Sequence, residues 1–317
     1  MKLSFVIPCY HSAATVGAVV EEIERTCEGL SCGSGTDADY EIILVNDGSG
    51  DDTWEVIRSL AETHAEVVSI DLARNFGQHA ALMAGLKETR GDIVVCLDDD
   101  GQTPADEAGK LIAAVEAGAD AAYARYANKQ HSLFRNFGSF LNEKMAAVML
   151  GKPRDLTVSS YFAVRRFVVD EMLRYHGSYP YVIGLVLRST DRIVNVDVTH
   201  RKRESGRSGY TLVKLIALWM NGFTAFSIKP LRIATLAGML FALVGFLYGI
   251  YTIIKKFVVP DVPVGFSALM SAIMFIGGML MLMLGLIGEY LGRLYITQNS
   301  NPQYVIRERT GAGRDHA

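Results

Sequence analysis

An acidic run at residues 98–100 is the feature of this sequence with the clearest chemical meaning. In an extended chain, side chains alternate between two sides, so Asp98 and Asp100 share one side and Asp99 lies opposite. Two close carboxylates repel each other unless one binds a proton or a cation lies between them. A hard divalent cation resolves this repulsion, and Gln102 can add a carbonyl oxygen to its shell. The alternative interpretation is a solvated acidic turn, or a cap for the helix predicted to begin at Pro104.

The predicted cation, Mg²⁺ or Mn²⁺ held by Asp98, Asp100 and Gln102, indicates which kind of ligand binds here. Magnesium usually takes only one or two protein carboxylates and completes its shell with substrate phosphates. The sequence therefore predicts a ligand that carries a diphosphate. Residues 33–38 resemble a dinucleotide fingerprint but follow a predicted helix and precede a strand, which is the wrong context, and the sequence contains no Gly-Lys-Ser/Thr loop. Asp47 could accept hydrogen bonds from a base or ribose, or could simply shape an Asp-Gly turn.

Alternating strands and helices position these residues. Short apolar runs rich in Val and Ile predict strands, and segments with helical periodicity lie between them. The predicted strands are residues 3–8, 41–46, 67–72 and 93–98, and the predicted helices are 13–28, 52–62, 78–88 and 104–117. This alternation is typical of an α/β fold with a mostly parallel sheet and helices on both faces. Ligands bind such sheets at the carboxyl ends of the strands, where residues 8–11, 46–53 and 98–104 converge.

Composition excludes several classes of protein. Half of the 317 residues are hydrophobic and the formal net charge is −3, which excludes a disordered chain. Acidic residues dominate up to residue 128 and basic residues after it, but the basic ones are interleaved with apolar sequence, so no nucleic-acid partner is expected. The four cysteines match no zinc pattern and follow no secretory signal, so we expect free thiols in a reducing compartment.

Two uncharged apolar stretches near the end of the chain predict a membrane hairpin. Residues 233–254 and 266–288 contain no charged side chain, and as helices each would cover about 33 Å, enough for a hydrocarbon core of about 30 Å. Basic residues outside the hairpin outnumber the two lysines in its turn, which favours a cytosolic globular domain and tail. Residues 210–230 suit a helix at the membrane interface, or a helix that packs under the globular domain.

These patterns predict four parts of the chain. Residues 1–209 form a cytosolic α/β domain, 210–230 an interfacial helical segment, 231–292 the two-helix membrane hairpin, and 293–317 a cytosolic tail. The expected location is the inner, or cytoplasmic, membrane, with the chain crossing it more than once.

Four short motifs, read in order, give the sequence a family resemblance. Residues 6–10, 45–53, 74–78 and 97–102 read Val-Ile-Pro-Cys-Tyr, Val-Asn-Asp-Gly-Ser-Gly-Asp-Asp-Thr, Arg-Asn-Phe-Gly-Gln and Leu-Asp-Asp-Asp-Gly-Gln. The set resembles the inverting glycosyltransferases of family two, which have the GT-A fold. The likeness to the polyprenyl-phosphate group, which includes dolichol-phosphate mannose synthase and the bacterial undecaprenyl-phosphate sugar transferases, continues through residues 203–210 and both spans to about residue 295.

The resemblance implies roles for matched positions. Asp47 would contact the nucleobase, Asp98 the nucleotide and the metal, and Asp100 with Gln102 the metal on the diphosphate. Asp155 is the candidate acidic residue near the sugar, which makes the expected catalytic set Asp98, Asp100 and Asp155. The expected nucleotide-sugar-binding residues are Pro8, Tyr10, Asp47, Gly48, Ser49, Asn75, Gln78, Asp98 and Asp99. The sequence departs from the family pattern at five positions. The family commonly has aspartate where Asn46 stands, an asparagine-like or aspartate-like polar residue where His11 stands, alanine at Asp99, leucine at Gly101 and lysine at Gly209. The change at Gly209 weakens any role for a phosphate-binding lysine there.

A lipid phosphate acceptor requires cationic side chains. Two unit charges 4 Å apart repel by about 4 kcal/mol at an effective dielectric near 20, so an acceptor phosphate and a nucleoside diphosphate meet only where cations offset their charge. Arginine suits this role because it contacts phosphate in a bidentate way. The predicted acceptor-phosphate-binding residues are Arg135, Arg203, Arg207, Ser208 and Tyr210.

The sequence therefore predicts a membrane-bound, metal-dependent glycosyltransferase that moves a sugar from a nucleoside-diphosphate sugar, UDP or GDP, to a polyprenyl phosphate with inversion. Two alternatives stay open. A processive polysaccharide synthase shares the first half, but the Gln-x-x-Arg-Trp motif of that class is missing from this sequence. A non-catalytic membrane scaffold would keep the fold without needing the acidic run. The resemblance further implies a homo-oligomer; neither the sugar nor the base can be read from the residues.

Overall fold

The computed structural model describes residues 1–29, 31–32, 36–37, 39–101, 103–126, 155–199, 265–298 and 302–311, together with scattered helical positions between 235 and 254. The chain divides into two compact units. The first comprises Met1–Gly209 with Ser300–Ala317, and the second comprises Tyr210–Asn299. The predicted interfacial segment, residues 210–230, and part of the first predicted span lie outside the described residues.

The first unit is built on an eight-stranded mixed sheet with the strand order β10-β5-β4-β1-β6-β8-β7-β9. The strands of this sheet are β1 (Lys2–Cys9), β4 (Asp39–Asn46), β5 (Val67–Leu72), β6 (Ile93–Cys96), β7 (Ala121–Tyr126), β8 (Phe162–Arg165), β9 (Ile193–Val198) and β10 (Ile306–Thr310). Two further strands of two residues each, β2 (Ser31–Cys32) and β3 (Thr36–Asp37), pair with each other.

Helices connect the strands of the first unit. They are α1 (Val16–Gly29), α2 (Thr53–Thr63), α3 (Gln78–Glu88), α4 (Ala108–Glu116), α5 (Arg166–Leu173) and α6 (Val182–Ser189), with a short 3₁₀ turn at Ala105–Glu107 before α4. Each predicted helix in the first 117 residues is present, with ends shifted by up to four residues.

The parallel half of the sheet follows from its apolar runs. Strands β5, β4, β1 and β6 pair in parallel, and Val67–Leu72 is buried along its whole length, as expected for strands covered on both faces. Helix α3 lies very close to this sheet: a Cβ added at Gly85 would stand 2.4 Å from Cγ1 of Val6. A side chain larger than glycine therefore cannot be accommodated there without separating the helix from the sheet.

The other half of the sheet was not predicted from the sequence. Strand β8 pairs antiparallel with both β6 and β7, and β9 pairs in parallel with β7. The four residues of β8 are too few to produce a recognisable alternation, and β7 contains three alanines and an arginine, which are weak strand formers. These strands are held by burial against α4 and not by their own propensity.

The described residues near the end of the chain extend the sheet of the first unit. Residues 293–317 are predicted to be a cytosolic tail, and within them Ile306–Thr310 forms β10, which pairs antiparallel with β5 at the edge of the sheet. The alternation Ile-Arg-Glu-Arg-Thr is that of an edge strand, with charged side chains that discourage further pairing. The end of the described chain is thus part of the first unit.

The second unit contains one long described helix, α7 (Phe266–Gln298), of 33 residues. Its window Phe275–Gly292 is the one stretch in the described part of the chain that is long and apolar enough to cross a membrane. It begins where the second predicted span begins, at Phe266, and continues ten residues past the predicted end. Scattered described positions between 235 and 254 are also helical.

Candidate active site

The carboxyl ends of β1, β4, β5 and β6 present the polar residues singled out in the sequence. These four strands are neighbours in parallel, so the loops that follow them lie along one edge of the sheet. Hydrogen bonds join the loops to one another. The β1 loop contacts the loops after β4 and β6, the β4 loop contacts the loop after β5, and the first residue of α3 contacts the loop after β6.

Asp98 is held from two sides. Nε2 of Gln78 donates a 2.8 Å hydrogen bond to Oδ1 of Asp98, and the Ser160 hydroxyl donates to Oδ2. Burial, which is the largest cause, and the neighbouring Asp100 and Asp99 together raise the pKa of Asp98 to about 6, although the hydrogen bonds from Ser160 and Gln78 act in the opposite direction. A carboxylate in this position is fixed in place but costly to ionise, which favours the approach of a cation.

Asp99 accepts its hydrogen bonds from the loop after β1, and not from the partners of Asp98. It accepts a 3.1 Å hydrogen bond from the backbone amide of Tyr10 and a further bond from the Ser12 hydroxyl. Burial raises the pKa of Asp99, and these two bonds oppose that rise. The carboxylate thus ties the loop after β6 to the loop after β1, and this structural contact accounts for an acidic residue at a position where the family resemblance predicts alanine.

Asp98 and Asp100 supply the hard oxygen atoms that a divalent cation prefers. Asp100 is partly buried and lies in the bend after β6, followed by Gly101 in the left-handed region with φ of 69°. Among the described residues, no cluster of three or more His, Cys, Asp or Glu side chains could hold a metal by itself. The two carboxylates therefore fit Mg²⁺ or Mn²⁺ whose shell is completed by substrate phosphates.

Asp47 is buried, and both of its oxygens accept backbone hydrogen bonds. The amides of Phe76 and Gly77 donate to Oδ1 at 2.7 Å and Oδ2 at 2.9 Å. Burial raises the pKa of Asp47, and the two amides partly compensate. The next residue, Gly48, has φ of 63° and packs on the backbone of the β5 loop: a Cβ there would lie 2.4 Å from the carbonyl carbon of Arg74. Asp47 and Gly48 therefore join the loops after β4 and β5.

We expect Asp47→Ala to destabilise the protein by about 3 kcal/mol, because two hydrogen bonds to a carboxylate are lost and two amides are left without that acceptor. The thermal unfolding midpoint of the purified protein should fall by roughly 6–12 °C. Asp52→Ala is the matched control, since Asp52 is exposed in the same loop and its side chain makes no capping hydrogen bond. Equal midpoints for the two variants would contradict the bracing role of Asp47.

The loop after β1 contains an unusual backbone conformation. His11 is the one non-glycine residue in the described chain with positive φ, at 57°. Its amide donates to the Ser49 hydroxyl at 3.1 Å, and its Nδ1 lies 3.6 Å from Oδ1 of Asp51. Residues held in this region cost roughly 1–3 kcal/mol and persist where surrounding contacts impose them, so the contacts to Ser49 and Asp51 fix the β1 loop against the β4 loop.

The structure brings together most of the predicted nucleotide-binding residues. Pro8 is buried in β1, Tyr10 is exposed beside Asp99, and the backbones of Gly48 and Asn75 meet. Asp155, by contrast, is exposed in a turn, and within the described part of the chain no hydrogen bond or ion pair joins it to the other predicted residues. The predicted positions outside the described residues are Gln102, Arg135, Arg203, Arg207, Ser208 and Tyr210.

Two contact residues of the site were not found from the sequence. Ser12 binds Asp99, and its carbonyl begins helix α1 by accepting from Thr15 and Val16. Ser160 binds Asp98 and lies just before β8, a strand that the sequence analysis did not predict. A signal existed only for Ser12, which stands four residues after the predicted end of the first strand at Pro8 and directly follows the segment 8–11 that is expected to converge on the site.

His79 directly follows Gln78, the residue that donates a hydrogen bond to Asp98. Its ring meets the ring of Tyr181 edge to face at 5.0 Å, and Nδ1 is buried without a hydrogen-bond partner among the described residues. Burial lowers the pKa of His79 from its ordinary value to about 4. The imidazole is therefore neutral in the folded protein at physiological pH.

This neutral histidine predicts a loss of stability in acid. The folded pKa, about 4, is below the ordinary value of 6.5, so the unfolded chain binds more protons and stability falls as the pH falls between these values. We expect His79 to account for about 2 kcal/mol of destabilisation between pH 7 and pH 5. Thermal unfolding of wild type and His79→Phe at both pH values measures this: the variant should lose less stability, and parallel losses would contradict the assignment.

Comparisons with known proteins were made for the whole chain. The model of the family described as "Glycosyl transferase family 2" matches residues 4–173, and that of the "GtrB C-terminal hairpin" matches residues 229–294. The first match covers β1 through α5 and therefore every loop described above. The second covers the two stretches predicted to span the membrane.

Similar curated proteins match over nearly their full length. The undecaprenyl-phosphate 4-deoxy-4-formamido-L-arabinose transferase of Proteus mirabilis is 33% identical, with 98% of this chain and 94% of the relative covered. The transferase of the same name from Yersinia enterocolitica is 34% identical with the same coverage.

Solved structures resemble the first unit. Mannosyl-3-phosphoglycerate synthase from Rubrobacter xylanophilus aligns with a TM-score of 0.50 and 18% identity, covering 70% of this chain and 72% of that one. Glucosyl-3-phosphoglycerate synthase from Mycobacterium tuberculosis, crystallised with Mn²⁺, UDP-glucose and phosphoglyceric acid, aligns with a TM-score of 0.48 and 22% identity, covering 65% and 72%. At these identities the likeness concerns the fold alone.

Proposed function

Because the chain belongs to glycosyltransferase family 2, we propose that it transfers a sugar from a nucleoside-diphosphate sugar to a polyprenyl phosphate, with inversion at the anomeric carbon. The family and the GT-A fold expected from the sequence are confirmed. One observation carries the proposal: the match to the undecaprenyl-phosphate transferase of Proteus mirabilis covers 98% of this chain, both the α/β domain and the hairpin region, and 94% of that relative.

Undecaprenyl phosphate is the acceptor that the relatives suggest. Both relatives are named as undecaprenyl-phosphate transferases of 4-deoxy-4-formamido-L-arabinose, so this sugar is the first donor group to test. Of the predicted residues for the acceptor phosphate, Arg135 stands earlier in the sequence, and Arg203, Arg207, Ser208 and Tyr210 stand where the predicted interfacial segment begins. The guanidinium groups of the arginines would offset the charge of the phosphate.

A divalent cation, Mg²⁺ or Mn²⁺, would neutralise charge on the departing diphosphate when it is bound. Asp100 and Asp98 would hold it, with Gln102 as the further predicted ligand. Gln78 and Ser160 orient the Asp98 carboxylate, and Asp99 fixes the loop on which both acids stand. The loops joined by Asp47 would enclose the nucleoside.

The reaction needs little proton transfer from the protein. The acceptor phosphate is already largely ionised at neutral pH, so its oxygen can attack the anomeric carbon from the face opposite the leaving diphosphate without a strong general base. A single displacement of this kind inverts the configuration. Asp155 would orient the acceptor or the sugar, which is a smaller contribution than that of Asp100.

We further propose that the two apolar stretches anchor the enzyme in the inner membrane with the α/β domain in the cytosol, as a homo-oligomer. The helix Phe266–Gln298 supports the second crossing, and the distribution of basic residues favours the orientation. Reaction of a membrane-impermeant lysine reagent with Lys255 and Lys256 from outside intact cells would support it, whereas labelling only after lysis would contradict it.

The activity is tested with purified protein in detergent, undecaprenyl phosphate and a panel of labelled nucleotide sugars that includes UDP-4-deoxy-4-formamido-L-arabinose. We expect one labelled lipid product whose formation needs Mg²⁺ or Mn²⁺ and whose sugar linkage is inverted. Successive addition of several sugars would favour a processive synthase. No transfer from any donor, together with no binding of nucleoside diphosphate, would favour a scaffold.

A further inference from the structure

The C-terminal strand carries an arginine that reaches the core of the first unit. From β10, Nη1 of Arg307 donates a 2.9 Å hydrogen bond to Oδ2 of Asp71, and Nη2 donates a 2.6 Å bond to the carbonyl of Ala73. The Arg307 side chain is 61% exposed, whereas the Asp71 side chain is only 2% exposed. A buried carboxylate requires hydrogen-bonding or charged partners. Arg307 supplies a positive charge to Asp71.

Asp71 also binds the residue at which the β4 loop begins. Its other oxygen, Oδ1, accepts a 2.7 Å hydrogen bond from Nδ2 of Asn46, and Oδ1 of Asn46 in turn accepts a 3.1 Å bond from the amide of Ser49. Asn46 immediately precedes Asp47, and Ser49 follows it by two residues. Asparagine suits this position, because it donates to the buried carboxylate and also accepts from the loop. An aspartate here would place two carboxylates together.

The second bond of Arg307 acts on the β5 loop. The backbone of Ala73 is held at both ends by the C-terminal segment, since its amide donates to the carbonyl of Val305 at 2.8 Å and its carbonyl accepts from Arg307. Three residues later, the amides of Phe76 and Gly77 bind the carboxylate of Asp47. Arg307 therefore braces both of the loops that Asp47 joins.

We propose that Arg307 is a positioning residue for the nucleoside diphosphate, which it holds in place indirectly through the Asp71–Asn46 pair and through Ala73. The inference rests on the proposed function, because it deepens the assignment of these two loops to the donor nucleotide. It also gives the C-terminal strand a role: a segment more than 230 residues away in sequence fixes the geometry of the nucleotide-binding edge.

Binding of UDP and of GDP to the full-length protein in detergent, measured by calorimetry, tests the proposal. With the nucleotide that wild type binds, Arg307→Ala should raise the dissociation constant about tenfold. In the transfer assay it should raise KM for the donor similarly, while kcat and KM for the lipid acceptor change less than about twofold. Arg309→Ala is the matched control, since Arg309 stands on the same strand and pairs with Glu88 at 3.0 Å, away from these loops; it should bind nucleotide like wild type.

The results for the Arg307 variants either support or overturn the positioning role. Weaker nucleotide binding by Arg307→Ala alone supports the positioning role, and equal binding by Arg307→Ala and wild type overturns it. Should Arg307→Ala fail to fold, Arg307→Lys, which keeps one donor and the charge, must still raise KM with kcat retained for the inference to hold. If wild type itself binds neither UDP nor GDP, the proposed function is contradicted, and this inference with it.

Discussion

Replacing Asp100 by alanine should reduce sugar transfer at least about 10³-fold. Asp100 shares one side of the acidic run with Asp98 and is the expected metal ligand next to the diphosphate. Its carboxylate is partly buried in a bend, so its truncation removes little packing. The loss should therefore fall on the metal-dependent step and leave the fold unchanged.

Metal titration separates this expectation from a structural effect. Wild type should be inactive after chelation and recover with Mg²⁺ or Mn²⁺, whereas Asp100→Ala should not recover at millimolar metal. Asp170→Ala is the matched control, because Asp170 is an exposed acid paired with Arg166 on α5 at 2.8 Å. More than a tenth of wild-type activity in Asp100→Ala would contradict the assignment.

The exposed Asp155 offers a second comparison in the same assay. If Asp155 only orients the acceptor or the sugar, Asp155→Asn should leave measurable transfer under conditions in which Asp100→Ala leaves none. Equal losses in the two variants would show that Asp155 contributes as much as Asp100, and its proposed minor role would be wrong.

The parallel half of the fold could be predicted because each of its strands is an apolar run that ends in polar residues. The runs in β1, β4, β5 and β6 are buried on both faces, and this burial favours the mostly apolar side chains that the sequence shows there. Because parallel strands end at a common edge, the convergence of residues after β1, β4 and β6 followed from the same observation.

The partners of the acidic run could not be predicted, because they depend on strand pairing and not on local pattern. Ser160 meets Asp98 only because β8 runs antiparallel to β6, with Phe162 opposite Cys96. A strand of four residues carries too little periodicity to reveal this register. Nothing in the local sequence of Asp71 indicates that its partner stands on β10, 236 residues later.

Asp98→Asn should lower kcat/KM by about 10²–10³-fold and yet stabilise the metal-free protein. Asparagine has the shape of aspartate, so its carbonyl can accept from Gln78 while its amide donates to the Ser160 hydroxyl, which also accepts. The substitution thus removes the negative charge and keeps both hydrogen bonds, to Gln78 and to Ser160. Without that charge, stabilisation of a cation and of the leaving diphosphate is weakened.

The sign of the stability change follows from the pKa of Asp98. Burial raises it to about 6 in the folded protein, above the ordinary value of 3.8, so the folded state binds the proton more tightly and stability declines as pH rises from about 4 through 6. Above pH 6 the full cost of the buried charge is present. Asparagine avoids it, and we expect the free energy of unfolding at pH 7 to increase by about 2 kcal/mol.

Two readouts on two variants test this trade of stability for activity. Thermal unfolding without metal should give a higher midpoint for Asp98→Asn than for wild type, while the transfer assay gives the lower rate. Ser160→Ala keeps the charge but removes a donor that lowers the pKa of Asp98, so it should cost only about tenfold in activity and shift the acid limb of the pH–rate profile upward. A lower unfolding midpoint for Asp98→Asn than for wild type would contradict this prediction. The Asp98 carboxylate would then stabilise the folded protein, and the loss of activity would have a cause other than the missing charge.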